Sequence, residues 1–399
     1  MIDPWVEFVR DVEGADVAGY FETPPSRAGG ARRAVSFVRA REVRTLARSS
    51  DPVEEARRAT RFLREGRRRA VLGYLGFDGF GLFEPRARRF PGGDPFPIGV
   101  FAFADAVRRR SVPPRPHRMP RSARARPLRP LSDSLPLGAF ERGVRRLVEE
   151  IRAGEAYQIV LAHRRAWTRP RDLVGRAGVL RATERFSFFY YLRFDGVELV
   201  GASPESVVEV VGDRAYLNPI AGTIPHGARA TGRMPLAIDP KELSEHRMLV
   251  DLARNDLGAV ARPGSVRLLS RERLERYARL DHLVTRVGAR LRRGVGPWGV
   301  LASAFPAGTV SGAPKIRATE LLRREEGTWR GPYGGTVGLL ESHGRADWAL
   351  AIRTAFAVGP RLYTAAGAGI VHRSSPRREF EETLTKLAQV EATLAGEAT

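Results

Sequence analysis

Residues 108–136 set the first limit on the fold, because this stretch has no pattern that could pack into a core. It reads RRRSVPPRPHRMPRSARARPLRPLSDSLP, dense in arginine and proline and without apolar periodicity. Proline removes a backbone hydrogen-bond donor and favours an extended chain. We therefore predict a surface linker over 108–136, between an N-terminal region of residues 1–107 and a larger region of residues 137–399.

The remaining composition is that of a folded protein. The chain has 399 residues and is 43% hydrophobic, which is enough for a core in one large domain or two smaller ones. It has no cysteine, which excludes disulfides, thiolate metal sites and a cysteine nucleophile. No segment resembles a signal peptide or approaches the roughly 20 apolar residues that cross a bilayer. We therefore expect a cytoplasmic protein that makes no membrane contact.

The formal net charge of +22 has two explanations. Such an excess is typical of nucleic-acid binding, but the chain lacks an interleaved aromatic and basic motif or a recognisable reading helix. We favour a bias toward arginine, since only three of the 67 basic residues are lysines. In a chain with this bias, the surviving Lys241, Lys315 and Lys386 are candidates for specific functions.

The first segment after the predicted linker has a clear helical pattern. Five apolar residues fall on one face of a helix that begins near residue 137: Phe140, Val144, Leu147, Val148 and Ile151. Gly154 is suited to end this helix. The alternating sequence AYQIVLAHR then predicts a strand.

Two later segments predict helices with paired acids. Glu242 and Glu245 lie three residues apart after Pro240, and Glu379 and Glu382 repeat this spacing. Such a pair is usually no more than a solvated helix face. Two pairs that meet could hold one Mg²⁺, which prefers carboxylate oxygens and a charged substrate.

Groups suited to binding anions lie between and after these helices. Arg353 follows an apolar run, ALAIR, and a guanidinium can bind a carboxylate through two hydrogen bonds. Gly367 and Gly369 leave backbone N–H groups open to an anion, and Gly222 and Thr223 combine open backbone with a hydroxyl. Together the pattern predicts a pocket for a small molecule with more than one carboxylate, beside Mg²⁺.

From residue 137 to residue 394 the motifs resemble the chorismate-utilising enzymes, in that family's order. They are NPIAGT, KELSEHRMLVDLARNDLG, FPAGTVSGAPKIRA, RGPYGG, IRT, AGAGIV and EFEETLTK. The resemblance implies an α/β (α+β) fold of the anthranilate synthase type, with two antiparallel β-sheets stacked between helices. Residues 1–107 resemble the family more loosely, chiefly through GYLGFDGFGLFEP.

Two positions distinguish members of this family. Isochorismate and salicylate synthases carry a lysine base where this chain has Gln158, and aminodeoxychorismate synthases carry a lysine nucleophile where it has Ala221. The wording of the other motifs is closest to the large component of anthranilate synthase. The resemblance therefore implies conversion of chorismate and ammonia to anthranilate and pyruvate in tryptophan biosynthesis. The alternatives are an aminodeoxyisochorismate or aminodeoxychorismate synthase of a related pathway.

The resemblance also implies a role for each matched residue. Glu205 matches the general acid, His282 matches a histidine tied to pyruvate elimination (the alternative is a hydrogen-bonded core histidine), and Gln158 completes the catalytic candidates. The matched substrate-binding positions are Gly222, Thr223, Thr309, Tyr333, Arg353, Gly367, Ala368, Gly369 and Lys386. The matched Mg²⁺ ligands are Glu245 and Glu382, with Glu242 and Glu379 beside them.

The source of ammonia is a further expectation. A glutaminase needs a cysteine nucleophile, which this chain does not have. The resemblance implies that ammonia comes from a separate glutamine amidotransferase subunit or from solution, and we expect the subunit.

Overall fold

The computed structural model describes residues 3–25, 31–87, 93–113, 127–183, 186–194, 196–225, 240–276 and 280–395. Within these ranges, some residues are described by their backbone alone: 183, 221–225, 240–242, 244, 245, 274–276 and 280–282. Predicted positions among them, such as Glu245 and His282, are therefore located here only by backbone.

The α-helices among the described residues range from 4 to 20 residues in length. They are α1 Pro4–Asp11, α2 Pro52–Arg64, α3 Phe80–Phe83, α4 Leu137–Arg152, α5 Leu173–Thr183, α6 Pro240–Gly258, α7 Pro297–Ala304, α8 Gly308–Ser311, α9 Lys315–Glu326 and α10 Pro376–Ala395. The prediction for α4 is confirmed, since its five apolar residues are all buried. None of the helices in the described part of the chain is long and apolar enough to cross a membrane.

The strands before the middle of the chain are β1 Val17–Thr23, β2 Arg32–Phe37, β3 Glu42–Leu46, β4 Ala70–Leu75, β5 Gly99–Ala104, β6 Arg108–Val112, β7 Pro130–Asp133, β8 Gln158–Thr168, β9 Phe188–Phe194 and β10 Val197–Ser203. Those that follow are β11 Ser206–Val211, β12 Arg214–Leu217, β13 Ile220–Pro225, β14 Arg267–Arg276, β15 Leu280–Arg290, β16 Gly312–Ala313, β17 Thr336–Glu341, β18 Arg345–Leu350, β19 Thr354–Val358 and β20 Arg361–Ile370.

These strands form two antiparallel sheets. The first has the order β16-β8-β20-β19-β10-β9-β1-β2-β6, with β7 also paired to β8. The second has the order β13-β15-β12-β11-β18-β17-β4-β5-β3, with β14 also paired to β15. Strands from both sides of the predicted linker are direct neighbours, as in β1 with β9 and β4 with β17. The two regions of the sequence therefore share both sheets.

The sheets face one another and helices cover their outer faces. Leu72 and Tyr74 of the second sheet pack with Phe21 and Tyr190 of the first in one apolar cluster between them. Separate clusters lie under α1 and α5 on the first sheet and under α6 and α7 on the second. The predicted arrangement of two antiparallel sheets between helices is confirmed.

Both ends of the segment predicted as a linker lie in strands. Residues 108–112 form β6, which pairs with β2 at the edge of the first sheet, and residues 130–133 form β7 beside β8. An edge strand needs only one row of main-chain hydrogen bonds, so exposed arginines are compatible with it. Residues 114–126 of this segment lie outside the described residues.

Candidate active site

Two chain crossings from one sheet to the other meet at a single point. Pro204 and Glu205 connect β10 of the first sheet to β11 of the second, while residues 351–353 connect β18 of the second sheet to β19 of the first. Main-chain hydrogen bonds join the crossings, because Ala202 N–H donates to Arg353 O at 3.2 Å and Leu350 N–H donates to Glu205 O at 3.0 Å. The crossings therefore place Glu205 and Arg353 beside each other between the sheets.

The sequence predicted that Arg353 ends an apolar strand-like run. In the structure it lies in the crossing, three residues after the end of β18 and directly before β19. The run 349–356 is instead divided between β18 and β19, and Arg353 has a φ of 50°, in the left-handed region. That conformation is uncommon for a residue with a side chain and is often found at functional sites. Here it turns the chain from one sheet into the other.

The GPYGG motif supports the second crossing. Gly334 N–H donates to Ala351 O and Ala351 N–H donates to Gly335 O, both at 2.9 Å. A Cβ at Gly335 would lie 2.2 Å from the carbonyl oxygen of Leu75, and Gly334 has a φ of 73°. The motif therefore needs glycine at both positions to pass this close to β4.

A cavity of about 240 Å³ opens at the crossings. Its lining includes six of the residues predicted to act on or bind the substrate: Glu205, Thr309, Tyr333, Arg353, Gly367 and Lys386. The size is close to the lower end of the range for small-molecule sites, roughly 300–1,000 Å³. The structure thus brings these residues together from α8, α10, β20 and three connecting segments.

Glu205 lies within this cavity as a partly desolvated carboxyl group. Burial raises its pKa to about 7, while the hydrogen bond from Thr309 and the charges of Arg353 and Lys386 act in the opposite direction. The Thr309 hydroxyl donates to Glu205 Oε1 at 2.7 Å. A carboxyl group with this pKa is partly protonated at neutral pH and can donate a proton.

One edge of β20 is open to the cavity. β19 pairs with β20 only from Arg361 to Thr364, whereas β8 pairs with it over its whole length. Gly367 lies opposite Ala162, whose N–H donates instead to Glu326. Since direction alternates along a strand, the polar backbone groups of Gly367 and Gly369 point away from β8.

Lys386 and Tyr333 occupy this open edge. Lys386 Nζ donates to Gly367 O at 2.9 Å and pairs with Glu382 Oε1 at 2.7 Å. The Tyr333 hydroxyl lies within hydrogen-bonding reach of the Gly367 backbone. The predicted anion-binding backbone thus lies within a strand, where part of it is held by neighbouring side chains.

The other two residues of the β20 motif are placed differently. Ala368 is fully buried and packs in the core with Ile159 and Ile370, so its side chain does not reach the cavity. Gly369 lies under the Gln158 side chain, since a Cβ there would be 2.4 Å from Gln158 Nε2. Gln158 therefore extends its amide from β8 over the face of β20 at Gly369.

The predicted residues Gly222 and Thr223 lie on β13, the edge strand of the second sheet. Ile220, at the start of β13, lines the cavity, and Gly222 and Thr223 follow it along the strand. Thr223 is the direct backbone partner of His282 on β15. The fold therefore brings the backbones of the predicted catalytic histidine and a predicted substrate-binding residue together, and the side chains of both lie outside the described part.

The described half of the predicted Mg²⁺ ligand set lies on α10, before the cavity-lining Lys386. On α10, Glu382 is exposed next to Lys386, and Glu379 is half-buried one turn before it. Their carboxylates are ligands of the kind that Mg²⁺ prefers. The side chains of Glu242 and Glu245, in the first two turns of α6, lie outside the described part. Among the described side chains, no cluster of three or more potential ligands occurs.

A buried ion pair behind the cavity was not predicted. Arg330 is 3% exposed, and it binds Glu326 while also donating to Val310 O and Val160 O at 2.6 Å each. Glu326 in turn accepts from the Ala162 N–H at 2.9 Å. The pair thus connects β8, α8 and the GPYGG turn. The four-residue spacing of Glu326 and Arg330 was the available signal, but it does not reveal burial.

The family follows from comparison with known proteins. The family of chorismate binding enzymes matches residues 20–392. The chain belongs to the chorismate binding enzymes. This confirms the resemblance that the motifs carry, and it covers strands from both sides of the predicted linker.

Individual chorismate binding enzymes show more specific similarity. Anthranilate synthase component 1 of Aquifex aeolicus is 42% identical over 253 residues, 62% of this chain and 51% of that protein. The 2-amino-4-deoxychorismate synthase of Streptomyces globisporus is 39% identical over 272 residues, 66% of this chain and 54% of that protein. The crystal structure of anthranilate synthase component I from Streptococcus pneumoniae TIGR4 matches with a TM-score of 0.75 and 27% identity, covering 93% of this chain and 90% of that one.

The extent of these matches differs between sequence and structure. The chain spans about half the length of the curated relatives that it matches. The structural match covers nearly the whole of both chains. Membership of the chorismate binding enzymes is therefore established across the fold, and the choice of reaction depends on the cavity.

Proposed function

We propose that this protein uses Mg²⁺ to convert chorismate and ammonia to anthranilate and pyruvate, as a component I of anthranilate synthase. The observation that carries this proposal is the cavity, where an acid with a pKa of about 7, Glu205, faces the cations Arg353 and Lys386. Such a site suits a dicarboxylate that must lose a hydroxyl group.

The cations account for substrate binding. Arg353 can bind one carboxylate through two parallel hydrogen bonds, and Lys386 supplies a compact positive charge at the open edge of β20. Tyr333 and Thr309 add hydroxyl groups to the same cavity. Held in this way, the ring would have its leaving hydroxyl next to Glu205.

Glu205 would act as the general acid. Its proton passes to the ring hydroxyl as the carbon–oxygen bond breaks, so that the group leaves as water while ammonia forms the new carbon–nitrogen bond. Loss of pyruvate from the aminated ring then gives anthranilate, and His282 is the residue proposed to assist that step. General acid catalysis of this kind contributes about 10²- to 10⁴-fold to a rate.

Gln158 is the reason for proposing ammonia, and not water, as the nucleophile. An amide cannot take a proton from water at neutral pH, and the Gln158 amide lies over Gly369, two residues along β20 from the cavity-lining Gly367. Ammonia needs no such base, because it is already a nucleophile in its neutral form. Gln158 thus supports amination rather than hydration of the ring.

A bound Mg²⁺ would supply a Lewis acid next to the ring carboxylate. Glu382 and Glu379 on α10 are the described residues that would hold it, with Glu245 and Glu242 on α6 as their proposed partners. Glu382 also pairs with Lys386 one turn later, so two of the proposed metal ligands and the substrate-binding cation lie on α10.

A direct assay tests the proposal. The purified chain is incubated with chorismate, Mg²⁺ and ammonium at alkaline pH, and product is followed by anthranilate fluorescence and chromatography. Fluorescent anthranilate with equimolar pyruvate supports the proposal. Isochorismate or salicylate as the main product would refute it, because either would show that Gln158 does not prevent attack by water.

A second candidate is a 2-amino-4-deoxychorismate synthase that releases the aminated ring. It is favoured by the 39% identity to the Streptomyces globisporus enzyme, which extends over 66% of this chain. The same assay separates the two reactions, because this enzyme would consume chorismate and ammonia and give a non-fluorescent amine without pyruvate.

We also propose a glutamine amidotransferase subunit as the source of ammonia. The chain has no cysteine to act as the nucleophile of a glutaminase. Activity with ammonium but not with glutamine is expected for the isolated chain, and glutamine should become a substrate when an amidotransferase subunit is added. Turnover of glutamine by the isolated chain would contradict this.

A further inference from the structure

Lys315 is the most deeply buried of the lysines whose side chains the structure describes. Its Nζ donates to Asp256 Oδ2 and to the carbonyl oxygen of Ala304, both at 3.1 Å. Burial lowers the pKa of Lys315 and raises that of Asp256, while each charge opposes the shift of the other. Because Asp256 is bound at 3.1 Å, we take the two as an ion pair.

These contacts join the ends of three helices. Asp256 lies in the last turn of α6, Ala304 is the last residue of α7, and Lys315 is the first residue of α9. The carbonyl groups at a helix C-terminus have no partner within the helix and attract a cation. The ammonium therefore closes the chain from 304 to 315 into a loop.

That loop carries the α8 turn with Thr309. The Thr309 hydroxyl donates to Glu205 Oε1 at 2.7 Å. Asp256, Thr309 and Glu205 also line one small cleft of about 40 Å³, so the buried pair and the acid border the same cleft. α8 is packed tightly on α6, where a Cβ at Gly308 would lie 2.4 Å from Leu252 Cδ2.

We propose that the Asp256–Lys315 pair is a positioning device for the reaction, which fixes the loop from 304 to 315 so that Thr309 keeps its hydrogen bond to Glu205. This inference rests on the proposed function, because it assigns the pair a purpose in that site. The pair does not touch the substrate cavity and acts through Thr309.

The site also explains the choice of lysine in a chain rich in arginine. An ammonium is compact and directs its three donors from one atom, whereas a guanidinium is planar and wider. The space between Asp256 and the end of α7 holds a single nitrogen bonded to two oxygens. A guanidinium there would push the loop and Thr309 away from Glu205.

The test measures Glu205 directly, without relying on turnover. The hydrogen bond from Thr309 lowers the pKa of Glu205, as do Arg353 and Lys386, while burial raises it and Tyr333 faces it as a neutral phenol. Loss of the Thr309 bond should therefore raise this pKa further, by roughly one pH unit. Carbon-13 NMR of the glutamate carboxyl groups follows it, with Glu205→Gln assigning the signal.

Four variants form the experiment. Lys315→Met and Thr309→Val should each raise the pKa of Glu205 by a similar amount. The double variant Lys315→Met/Thr309→Val should raise it no further, since both changes remove the same hydrogen bond. Lys315→Met/Asp256→Leu removes both buried charges and protects the fold if Lys315→Met alone unfolds. It should show the same increase.

A matched control lies on the same helix. Arg317 pairs with Glu155 on the exposed surface of α9, 2.7 Å apart, so Arg317→Gln removes a cation near Lys315 without touching the buried pair. It should leave the pKa of Glu205 unchanged. An unchanged pKa in the folded Lys315→Met or Lys315→Met/Asp256→Leu proteins would overturn the inference, and so would additive increases in Lys315→Met/Thr309→Val.

The outcome is separable from that of the proposed function. If the chain forms no anthranilate from chorismate but the Glu205 titration responds to Lys315 as expected, the proposed reaction fails and the coupling stands. If anthranilate forms and the titration does not respond, the coupling fails alone. In an active enzyme, Lys315→Arg should lower kcat by about tenfold, in line with a displaced hydrogen bond.

Discussion

Lys315 and Lys386 are the same residue in two different settings. The Lys315 side chain is 12% exposed, and its partners are a buried carboxylate and a helix-terminal carbonyl. The Lys386 side chain is 47% exposed, and it lies at the cavity rim between Glu382 and Gly367 O. A buried charge depends on its partners, whereas a charge at a rim remains able to meet a ligand.

This difference assigns the two lysines to different tasks. The contacts of Lys315 tie protein elements to each other, and none of them belongs to the cavity that holds Arg353 and Tyr333. Lys386 lines that cavity, and we propose that it binds a substrate carboxylate there. The scarcity of lysine in the sequence made both positions candidates. The difference in burial is what distinguishes the positioning role proposed for Lys315 from the substrate-binding role proposed for Lys386.

Removing the carboxyl group of Glu205 should have the largest effect. Glu205→Gln keeps the shape and the hydrogen bond to Thr309 but cannot supply a proton, so turnover should fall by about 10²- to 10⁴-fold. Steady-state kinetics with chorismate and ammonium measure it. A variant with activity within threefold of the wild type would show that Glu205 is not the acid.

The next largest effect is a difference in the free energy of unfolding between variants of the two lysines. Lys315→Met leaves Asp256 buried without its partner and should reduce the free energy of unfolding by about 3–5 kcal/mol. Lys386→Met removes an exposed pair and should change it by less than about 1 kcal/mol. Urea unfolding followed by circular dichroism gives both values. Equal losses in the two variants would remove the distinction between them.

Replacing Glu382, next to Lys386, should change the Mg²⁺ dependence of the rate. Glu382→Gln removes one proposed ligand and should lower activity by about 10²-fold while raising the Mg²⁺ concentration needed for half-maximal rate. Arg377→Gln is the matched control, since Arg377 pairs with Glu381 on the exposed side of the same helix. A Glu382→Gln enzyme with unchanged Mg²⁺ dependence would exclude Glu382 as a ligand.

Lys386→Arg should have a smaller effect. The charge is kept, but a planar guanidinium cannot bind Gly367 O and Glu382 from one atom as the ammonium does. We expect about a tenfold loss, mainly as a higher KM for chorismate, with unchanged unfolding in urea. Full activity would mean that the rim needs only a positive charge.

The smallest expected effect is on stability and depends on pH. The pKa of Glu205 in the folded protein, about 7, lies above its ordinary value of 4.5, so ionisation destabilises the folded state as pH rises between these values. Glu205→Gln should therefore be more stable than the wild type above pH 7, on the order of 1 kcal/mol because the side chain is only partly buried. Below pH 4.5 this advantage should vanish, and unfolding at pH 4 and pH 8 measures it.

Local pattern and family resemblance accounted for much of the fold and the cavity. The α4 helix followed from apolar spacing alone, and the motifs identified Glu205, Arg353, Gly367 and Lys386, which meet in space. Each of these signals is carried by neighbouring residues. Such signals can therefore be identified from the sequence without the structure.

The remaining features depend on contacts between distant parts of the chain. Lys315 meets Asp256 from 59 positions away, and no local pattern connects them. The sequence predicted an apolar strand-like run that ends at Arg353, but it did not show that the chain crosses from one sheet to the other there. Whether such a run stays in one sheet depends on Gly334, Gly335 and Leu75, which lie elsewhere in the sequence.

The open edge of β20 has a consequence for how this site can change over time. Main-chain groups of Gly367 and Gly369 are present whatever side chains the strand carries, so drift in sequence cannot delete them. A substitution of either glycine can instead add a side chain next to these main-chain groups. A Cβ at Gly367 would lie 3.0 Å from Val160 and 3.1 Å from the Tyr333 hydroxyl, and one at Gly369 would collide with Gln158. A glycine-to-alanine change at either position would therefore force Val160 and Tyr333, or Gln158, to shift, while every polar main-chain group of the strand stayed in place.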